Sequence, residues 1–116
     1  MLFIICLLIL PSCSPYSQNE MDNFAKCLTD SGAVMYGAFW CTHCLNIKKE
    51  FGSSFKYVAY VECDSNGPNQ QAAFCLQKNV TVYSIWIFSD GSRLLGEPSL
   101  EALSNKTGCN LSERNN

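Results

Sequence analysis

The sequence predicts an α/β domain with a central mixed four-stranded sheet flanked by helices and an extra helix at its N-terminal end. Three observations support this prediction. Short β-prone runs alternate with stretches of helical spacing, a hairpin turn separates the last two runs, and a Cys-x-x-Cys pair joins an apolar run to a helical stretch. With 116 residues, 47% apolar and 16% charged, the chain is long enough for one hydrophobic core and too short for two.

Three helices and two strands are predicted in the first two thirds of the chain. Apolar residues at helical spacing and glycines at the ends indicate the helices, and short β-prone runs indicate the strands. A turn at 65–68 precedes the third helix. The predicted helices are 21–29, 41–51 and 69–78, and the predicted strands are 33–39 and 57–62.

The last third of the chain predicts a β-hairpin followed by one helix. The run 80–88 is the most β-prone of the sequence, and Ser89-Asp90-Gly91-Ser92 is a turn that leads into a strand at 93–95. A final helix is predicted over 100–106. The complete order of helices and strands is that of a thioredoxin-like fold.

Cysteine content and the first residues predict export. Eight cysteines in so short a chain indicate an oxidising compartment, where disulfides persist. An apolar run at 2–10 precedes a polar stretch, as in a signal peptide, and it is shorter than the ~20 residues of a membrane-spanning helix. The predicted organisation is a signal peptide at 1–13, a short polar linker at 14–20, the folded domain at 21–110 and a polar tail at 111–116. We expect a periplasmic or lumenal location.

Cys13 is a candidate for lipidation. The segment Leu10-Pro11-Ser12-Cys13 resembles a bacterial lipobox, whose cysteine is acylated and becomes the first mature residue. Pro11 fits that pattern poorly, and no Lys or Arg precedes the apolar run. The alternative is a leader cleaved elsewhere, with Cys13 removed or left free.

Cys41 and Cys44 are the candidate catalytic residues. A strand followed by a helix puts Cys41 at a helix N-terminus, where unpaired backbone N–H groups and the helix dipole stabilise a thiolate. His43, the only histidine, stands between them and can add to that stabilisation, which favours oxidation of substrates. Two alternatives are half of a zinc site, for which further ligands are missing, and a purely structural disulfide.

Charge gives no indication of a nucleic-acid partner. The formal net charge is −2, and Lys and Arg are scattered without a basic stripe. We therefore expect no nucleic acid, and we also expect no cofactor and no bound metal.

Further motifs extend over roughly residues 22 to 109. They are Phe24-Ala25-Lys26-Cys27, Met35-Tyr36-Gly37-Ala38-Phe39-Trp40-Cys41 with His43-Cys44, Phe51-Gly52, Tyr60-Val61-Glu62-Cys63, Cys75, Trp86, Asp90-Gly91-Ser92 with Gly96, and Lys106-Thr107-Gly108-Cys109. Together they resemble the thioredoxin-like domain associated with vitamin K epoxide reductase homologues. The resemblance implies that Cys41 and Cys44 exchange electrons with cysteine-containing exported proteins and with a membrane vitamin K epoxide reductase-like protein.

The resemblance also implies structural disulfides. The family carries a second cysteine pair at the positions of Cys63 and Cys75, which we interpret as a disulfide. Cys27 and Cys109 are then left as partners that join the two ends of the domain. The alternatives are two buried free thiols at 63 and 75, and bonds from Cys27 and Cys109 to other chains.

Two positions differ from the usual pattern of thioredoxin-fold enzymes. Thioredoxin-fold enzymes place a cis-proline against the dithiol, whereas the substrate-binding loop of this chain is Tyr83-Ser84-Ile85. We expect the Tyr83–Ser84 bond to be trans, because a cis bond before a residue other than proline costs about 3–4 kcal/mol. Met35 stands where thioredoxins bury a carboxylate, which favours an oxidase-type role over a general reductase.

The predicted function is therefore that of an exported thiol-disulfide oxidoreductase. It would oxidise or isomerise cysteines in other exported proteins and be reoxidised by a membrane vitamin K epoxide reductase-like partner. The alternative is a disulfide-stapled, non-catalytic binding module that has kept the fold while Ser84 has disabled turnover.

Overall fold

A computed structural model describes residues 15–111 of the chain. The α-helices of this part are α1 (Gln18–Asp30), α2 (Thr42–Phe51), α3 (Ala72–Gln77) and α4 (Leu100–Thr107), and its strands are β1 (Val34–Gly37), β2 (Tyr60–Glu62), β3 (Ile85–Ile87) and β4 (Arg93–Leu95). A 3-10 helix, Gly52–Tyr57, follows α2 directly. The signal peptide predicted at 1–13, with its candidate Cys13, lies outside the described residues, as does 112–116.

The four strands form one mixed sheet in the order β2-β1-β3-β4. β1 pairs in parallel with β2 and antiparallel with β3, and β3 and β4 form an antiparallel hairpin. The predicted α/β class, with a mixed four-stranded sheet, flanking helices and an N-terminal helix, is confirmed. Because β1 lies inside the sheet, the segment that follows it begins at the middle of one sheet edge.

The first helix begins at Gln18, three residues before the predicted start at Met21. Ser17 Oγ accepts the backbone N–H of Glu20 at 3.1 Å, and the Glu20 carboxylate accepts the Ser17 N–H at 3.2 Å. This reciprocal capping box satisfies two N–H groups that a helix end leaves unpaired. Tyr16 is buried as well, so part of the segment predicted as a linker belongs to the folded domain.

The first three strands are shorter than predicted. β1 has four residues, so its neighbours β2 and β3 find few pairing partners. The start of the predicted strand 57–62 is occupied by the end of the 3-10 helix, and only the last part of the run 80–88 pairs as a strand. β4 has the predicted bounds, because the preceding turn fixes where it begins.

Apolar side chains cover both faces of the sheet. Met35 and Tyr36 are consecutive in β1 and therefore point to opposite faces. Met35 belongs to the larger cluster, in which the Phe51 ring lies 6.2 Å from that of Phe24 and 6.4 Å from that of Trp86. The smaller cluster contains Tyr36, Val61, Cys63, Cys75, Val80 and Ile85. α2 packs on the larger cluster, which fixes its start relative to the end of β1.

Two disulfides link distant parts of the chain. Cys27 on α1 is bonded to Cys109 after α4, and Cys63 after β2 is bonded to Cys75 on α3. These are the two pairs that the family resemblance implies. No helix within residues 15–111 is both long and apolar enough to cross a membrane.

Candidate active site

The dithiol lies where the central strand leads into α2. Cys41 is the N-cap residue of α2, and its Sγ accepts the backbone N–H of Cys44 at 3.4 Å. Both cysteines are free thiols. An N-cap position faces unpaired N–H groups and the positive end of the helix dipole, a place where anions bind favourably.

The two thiols differ in their access to solvent. Cys41 is 5% exposed, whereas Cys44 has no exposed surface. Burial, followed by the hydrogen bond with Cys41, raises the pKa of the Cys44 thiol to about 12. Cys41 is therefore suited to meet a substrate sulfur, and Cys44 is suited to react with Cys41 from the inside.

Gly37, at the end of β1, makes room for the buried sulfur. A Cβ atom at this position would lie 2.5 Å from Cys44 Sγ, 3.2 Å from Tyr60 Cε2 and 3.4 Å from the Tyr60 hydroxyl oxygen. The distance to sulfur is shorter than real Cβ contacts allow. In the sequence Gly37 is one residue of the motif that leads to Cys41, and the structure makes it part of the site.

Two carboxylates at the end of β2 hold the segment before Cys41. Glu62 is buried and accepts the backbone N–H groups of Phe39 at 3.2 Å and Asp64 at 3.1 Å. Asp64 in turn accepts the indole N–H of Trp40 at 2.6 Å, a hydrogen bond that lowers the pKa of Asp64. The approach to Cys41 is thus fixed by residues more than twenty positions further along the chain.

Exposed apolar side chains flank the dithiol in the chain. Phe39 and Trp40 precede Cys41 and are 43% and 56% exposed, and Leu45, after Cys44, is 42% exposed. Exposed large apolar groups that lie together often mark a binding surface.

The imidazole of His43 faces Glu97, in the loop after β4. Its Nδ1 lies 2.8 Å from Glu97 Oε1, and the Asn46 side-chain amide donates to the same oxygen at 2.8 Å. The hydrogen bonds from Asn46 and then His43 lower the pKa of Glu97. No motif in the sequence pointed to Glu97, which is 54 residues from His43.

The bond between Tyr83 and Ser84 is cis, and the prediction of a trans bond was wrong. Ser84 is fully buried, its Oγ donates to the Gly96 carbonyl at 2.5 Å, and its carbonyl accepts the Gly96 N–H at 2.9 Å. The preference of an isolated peptide bond for trans takes no account of tertiary contacts. In this fold the two hydrogen bonds with Gly96, just after β4, hold Ser84 in its place.

The three residues of the predicted substrate-binding loop have different surroundings. The Tyr83 ring meets the Trp40 ring edge to face, with centroids 6.0 Å apart, which brings it to the segment that contains Cys41. Ser84 is hydrogen-bonded to Gly96. Ile85, the first residue of β3, is buried in the smaller cluster. Tyr83 is therefore the member of this loop that contacts the active-site segment.

Within residues 15–111, no group of three or more His, Cys, Asp or Glu side chains is arranged to hold a metal ion.

Comparison with known proteins finds a relative with a named activity. No protein-family model matches the chain. The chain is 38% identical, over 113 aligned residues, to a protein of Arabidopsis thaliana named thiol-disulfide oxidoreductase LTO1. The match includes 87% of this chain, which spans only 30% of the length of that relative. The chain thus has a thioredoxin-like fold and is similar to one part of a thiol-disulfide oxidoreductase.

Proposed function

We propose that the chain is an exported thiol-disulfide oxidoreductase that oxidises or isomerises cysteines in other exported proteins through Cys41 and Cys44. The observation that carries this proposal is the free dithiol at the start of α2, with Cys41 at the N-cap and Cys44 buried behind it. A thiolate at Cys41 is stabilised by the helix, which makes it both a good nucleophile and a good leaving group. The name of the Arabidopsis relative supports the same reaction.

In the oxidising direction, a substrate thiolate attacks Cys41 Sγ of the Cys41–Cys44 disulfide. The disulfide breaks, a mixed disulfide forms between the substrate and Cys41, and Cys44 leaves as a thiolate that takes up a proton. A second substrate thiolate then attacks the substrate sulfur of the mixed disulfide, and Cys41 leaves as a thiolate. The substrate gains a disulfide, and its two electrons remain on the dithiol.

The substrates proposed are unfolded or partly folded exported proteins. Phe39, Trp40 and Leu45 offer exposed apolar surface on both sides of the dithiol in the chain. Such a surface suits apolar segments, which a protein exposes before its cysteines have paired. Specificity is then for exposed apolar chain with a nearby thiol rather than for a particular sequence.

A membrane vitamin K epoxide reductase-like protein is the proposed acceptor of the electrons. This part of the proposal rests on the family resemblance of the motifs around Cys41, Cys63 and Cys109. The two disulfides of the domain support an oxidising compartment, either periplasmic or lumenal, because reducing compartments do not keep such bonds. A lipid anchor at Cys13 would hold the domain close to its membrane partner.

The test is oxidation of a reduced, unfolded cysteine protein by the purified full chain. Wild-type protein that carries the Cys41–Cys44 disulfide should restore disulfides to the substrate, whereas Cys41→Ala and Cys44→Ala, which cannot form that disulfide, should have no activity above background. When mixed with a substrate that already carries a disulfide, Cys44→Ala should accumulate a mixed disulfide at Cys41, because no second thiol is present to resolve it. Equal rates for wild type and Cys41→Ala would contradict the proposal and favour non-catalytic binding. A Cys41–Cys44 reduction potential of about −120 to −180 mV would support oxidation, and one near −270 mV would instead indicate reduction.

A further inference from the structure

The loop after β4 contacts both sides of the active site through two consecutive residues. Gly96 accepts the hydroxyl of Ser84 at 2.5 Å and donates its backbone N–H to the Ser84 carbonyl at 2.9 Å. The next residue, Glu97, lies beside the start of α2, where its Oε1 is 2.8 Å from His43 Nδ1 and accepts the side-chain amide of Asn46 at 2.8 Å. This loop therefore joins the helix that begins at the dithiol to the substrate-binding loop.

The hydrogen bonds at Glu97 run from the helix to the carboxylate. The contacts with Asn46 and then His43 lower the pKa of Glu97, so its carboxylate is ionised at neutral pH. An ionised carboxylate can only accept hydrogen bonds, and Nδ1 of His43 therefore carries the hydrogen that lies between the two side chains. A neutral and a charged imidazole can both make this contact, so it does not depend on the charge of His43.

The arrangement of the two donors restricts how the start of α2 is placed. His43 and Asn46 are three residues apart and thus lie on one face of the helix, and both reach the same carboxylate oxygen. Two directional hydrogen bonds to one acceptor limit both the rotation of the helix and its distance from the loop. The side chains of His43 and Glu97 are 57% and 40% exposed, so the pair contributes little to the free energy of unfolding. Its main effect is therefore on the position of the helix start.

The surface that this bridge controls lies between Cys41 and Tyr83. The Trp40 ring meets the Tyr83 ring edge to face, with centroids 6.0 Å apart. Trp40 directly precedes Cys41 and Tyr83 directly precedes Ser84, so each ring belongs to one of the two parts that the loop after β4 joins. A protein chain bonded to Cys41 lies beside these rings, whereas a small dithiol has to reach only the sulfur.

We propose that Glu97 is a positioning residue for exchange with protein substrates, which holds the start of α2 and the substrate-binding loop at the spacing that a substrate chain needs; this rests on the function proposed above. Glu97 acts through its contacts with α2 and takes no part in the bond changes at Cys41 and Cys44. Its loss leaves the chemistry of the dithiol in place and weakens the fit of a protein substrate. A small dithiol should not detect that loss.

Two variants of Glu97 separate position from charge. Glu97→Ala removes the acceptor, whereas Glu97→Gln keeps an oxygen that can accept from Asn46 and His43 but carries no charge. Glu101→Ala is the matched control. Burial and then the charges of Glu101 and Glu97 raise the pKa of Glu50, which puts these carboxylates in one neighbourhood. Glu101 lies in the first turn of α4, so its removal leaves the bridge to α2 intact.

The experiment compares a protein substrate with a small dithiol. Full chain that carries the Cys41–Cys44 disulfide is mixed with increasing amounts of a reduced, unfolded cysteine protein or of dithiothreitol. Samples are quenched in acid, alkylated and digested, and mass spectrometry measures how fast the Cys41–Cys44 disulfide is lost. Glu97→Ala should react roughly 10- to 10²-fold more slowly with the unfolded protein, the size that a misplacement of about 1 Å can cause, and change by at most about twofold with dithiothreitol. Glu97→Gln should recover most of the loss, and Glu101→Ala should behave as wild type.

A double variant tests whether Asn46 acts through Glu97. Asn46→Ala should slow the reaction with the unfolded protein, and Glu97→Ala combined with Asn46→Ala should be no slower than Glu97→Ala alone, because both changes remove the same contact. Wild-type rates in Glu97→Ala, equal losses with both thiols, or a Glu97→Gln protein as slow as Glu97→Ala would each overturn the positioning role. A wild-type disulfide that reacts with neither thiol would instead overturn the exchange reaction itself.

Discussion

The two structural disulfides should stabilise the domain to different extents, because they close loops of different length. Cys27 and Cys109 are 82 residues apart, and Cys63 and Cys75 are 12 apart. Replacing the first pair by alanine should lower the free energy of unfolding by about 4.5 kcal/mol and replacing the second by about 2.8 kcal/mol, since a cross-link removes entropy from the unfolded chain as the logarithm of loop length. Burial alone does not favour the first pair, because Cys63 and Cys75 are both buried, whereas Cys27 is only partly buried.

Urea unfolding followed by fluorescence measures this difference. Trp86 is fully buried in the folded domain, so its emission reports the loss of the core. All proteins should carry Cys41→Ala and Cys44→Ala, because a free dithiol can reshuffle the structural bonds. When a cross-link is removed, the free energy of unfolding should fall more steeply with urea concentration, since the unfolded chain then exposes more surface. An equal or larger loss from the Cys63–Cys75 pair would refute the argument from loop length.

Three further changes give separate expectations. Gly37→Ala should lower the free energy of unfolding by about 1–3 kcal/mol, because its Cβ would lie 2.5 Å from Cys44 Sγ; an unchanged melting temperature would contradict this. With Cys41 and Cys44 as free thiols, the protein should lose stability as pH rises above about 9, by at most about 1.4 kcal/mol per pH unit. Burial raises the pKa of the Cys44 thiol from 9.0 to about 12, so between these pH values only the unfolded chain releases that proton. Urea titrations against Cys44→Ala, which lacks the effect, test it. Ser99→Ala should cost about 1 kcal/mol in thermal unfolding, because Ser99 Oγ accepts the Ala102 N–H at 3.0 Å as the cap of α4, whereas Ser99→Asp keeps a cap.

The order of the elements could be predicted because each of them carries local signals. α4 is the clearest case: the cap at Ser99 and Gly108, with a left-handed φ of +77°, fix its ends to within one residue of the prediction. Strand lengths have no such local signal. The run 80–88 is β-prone throughout, yet only Ile85–Ile87 finds partners on a β1 strand of four residues.

The dithiol could be predicted because its residues are close together in the sequence. The groups that surround it could not, because they are far from it along the chain. Cys41, Cys44 and the helix start that stabilises a thiolate fall within four residues, so one motif contains the whole arrangement. Glu62 and Glu97, by contrast, contact residues 23 and 54 positions away, and only strand pairing and loop packing bring them to the site. Glu62 stands in the motif Tyr60-Val61-Glu62-Cys63, and a charged residue in so apolar a run was itself a sign of a role, since carboxylates are seldom buried without a function or a partner.

The two cysteines of the motif are held by different parts of the fold. Cys41 is the N-cap of α2, at the positive end of the helix dipole, where an anion is favoured. Cys44 lies against β1, where Gly37 leaves room for its sulfur. A thiolate that is stabilised at a helix N-terminus favours the dithiol over the disulfide. Changes at the start of α2 should therefore shift the reduction potential of the Cys41–Cys44 pair, whereas Gly37→Ala should act on the packing around Cys44 and thus on the stability of the domain.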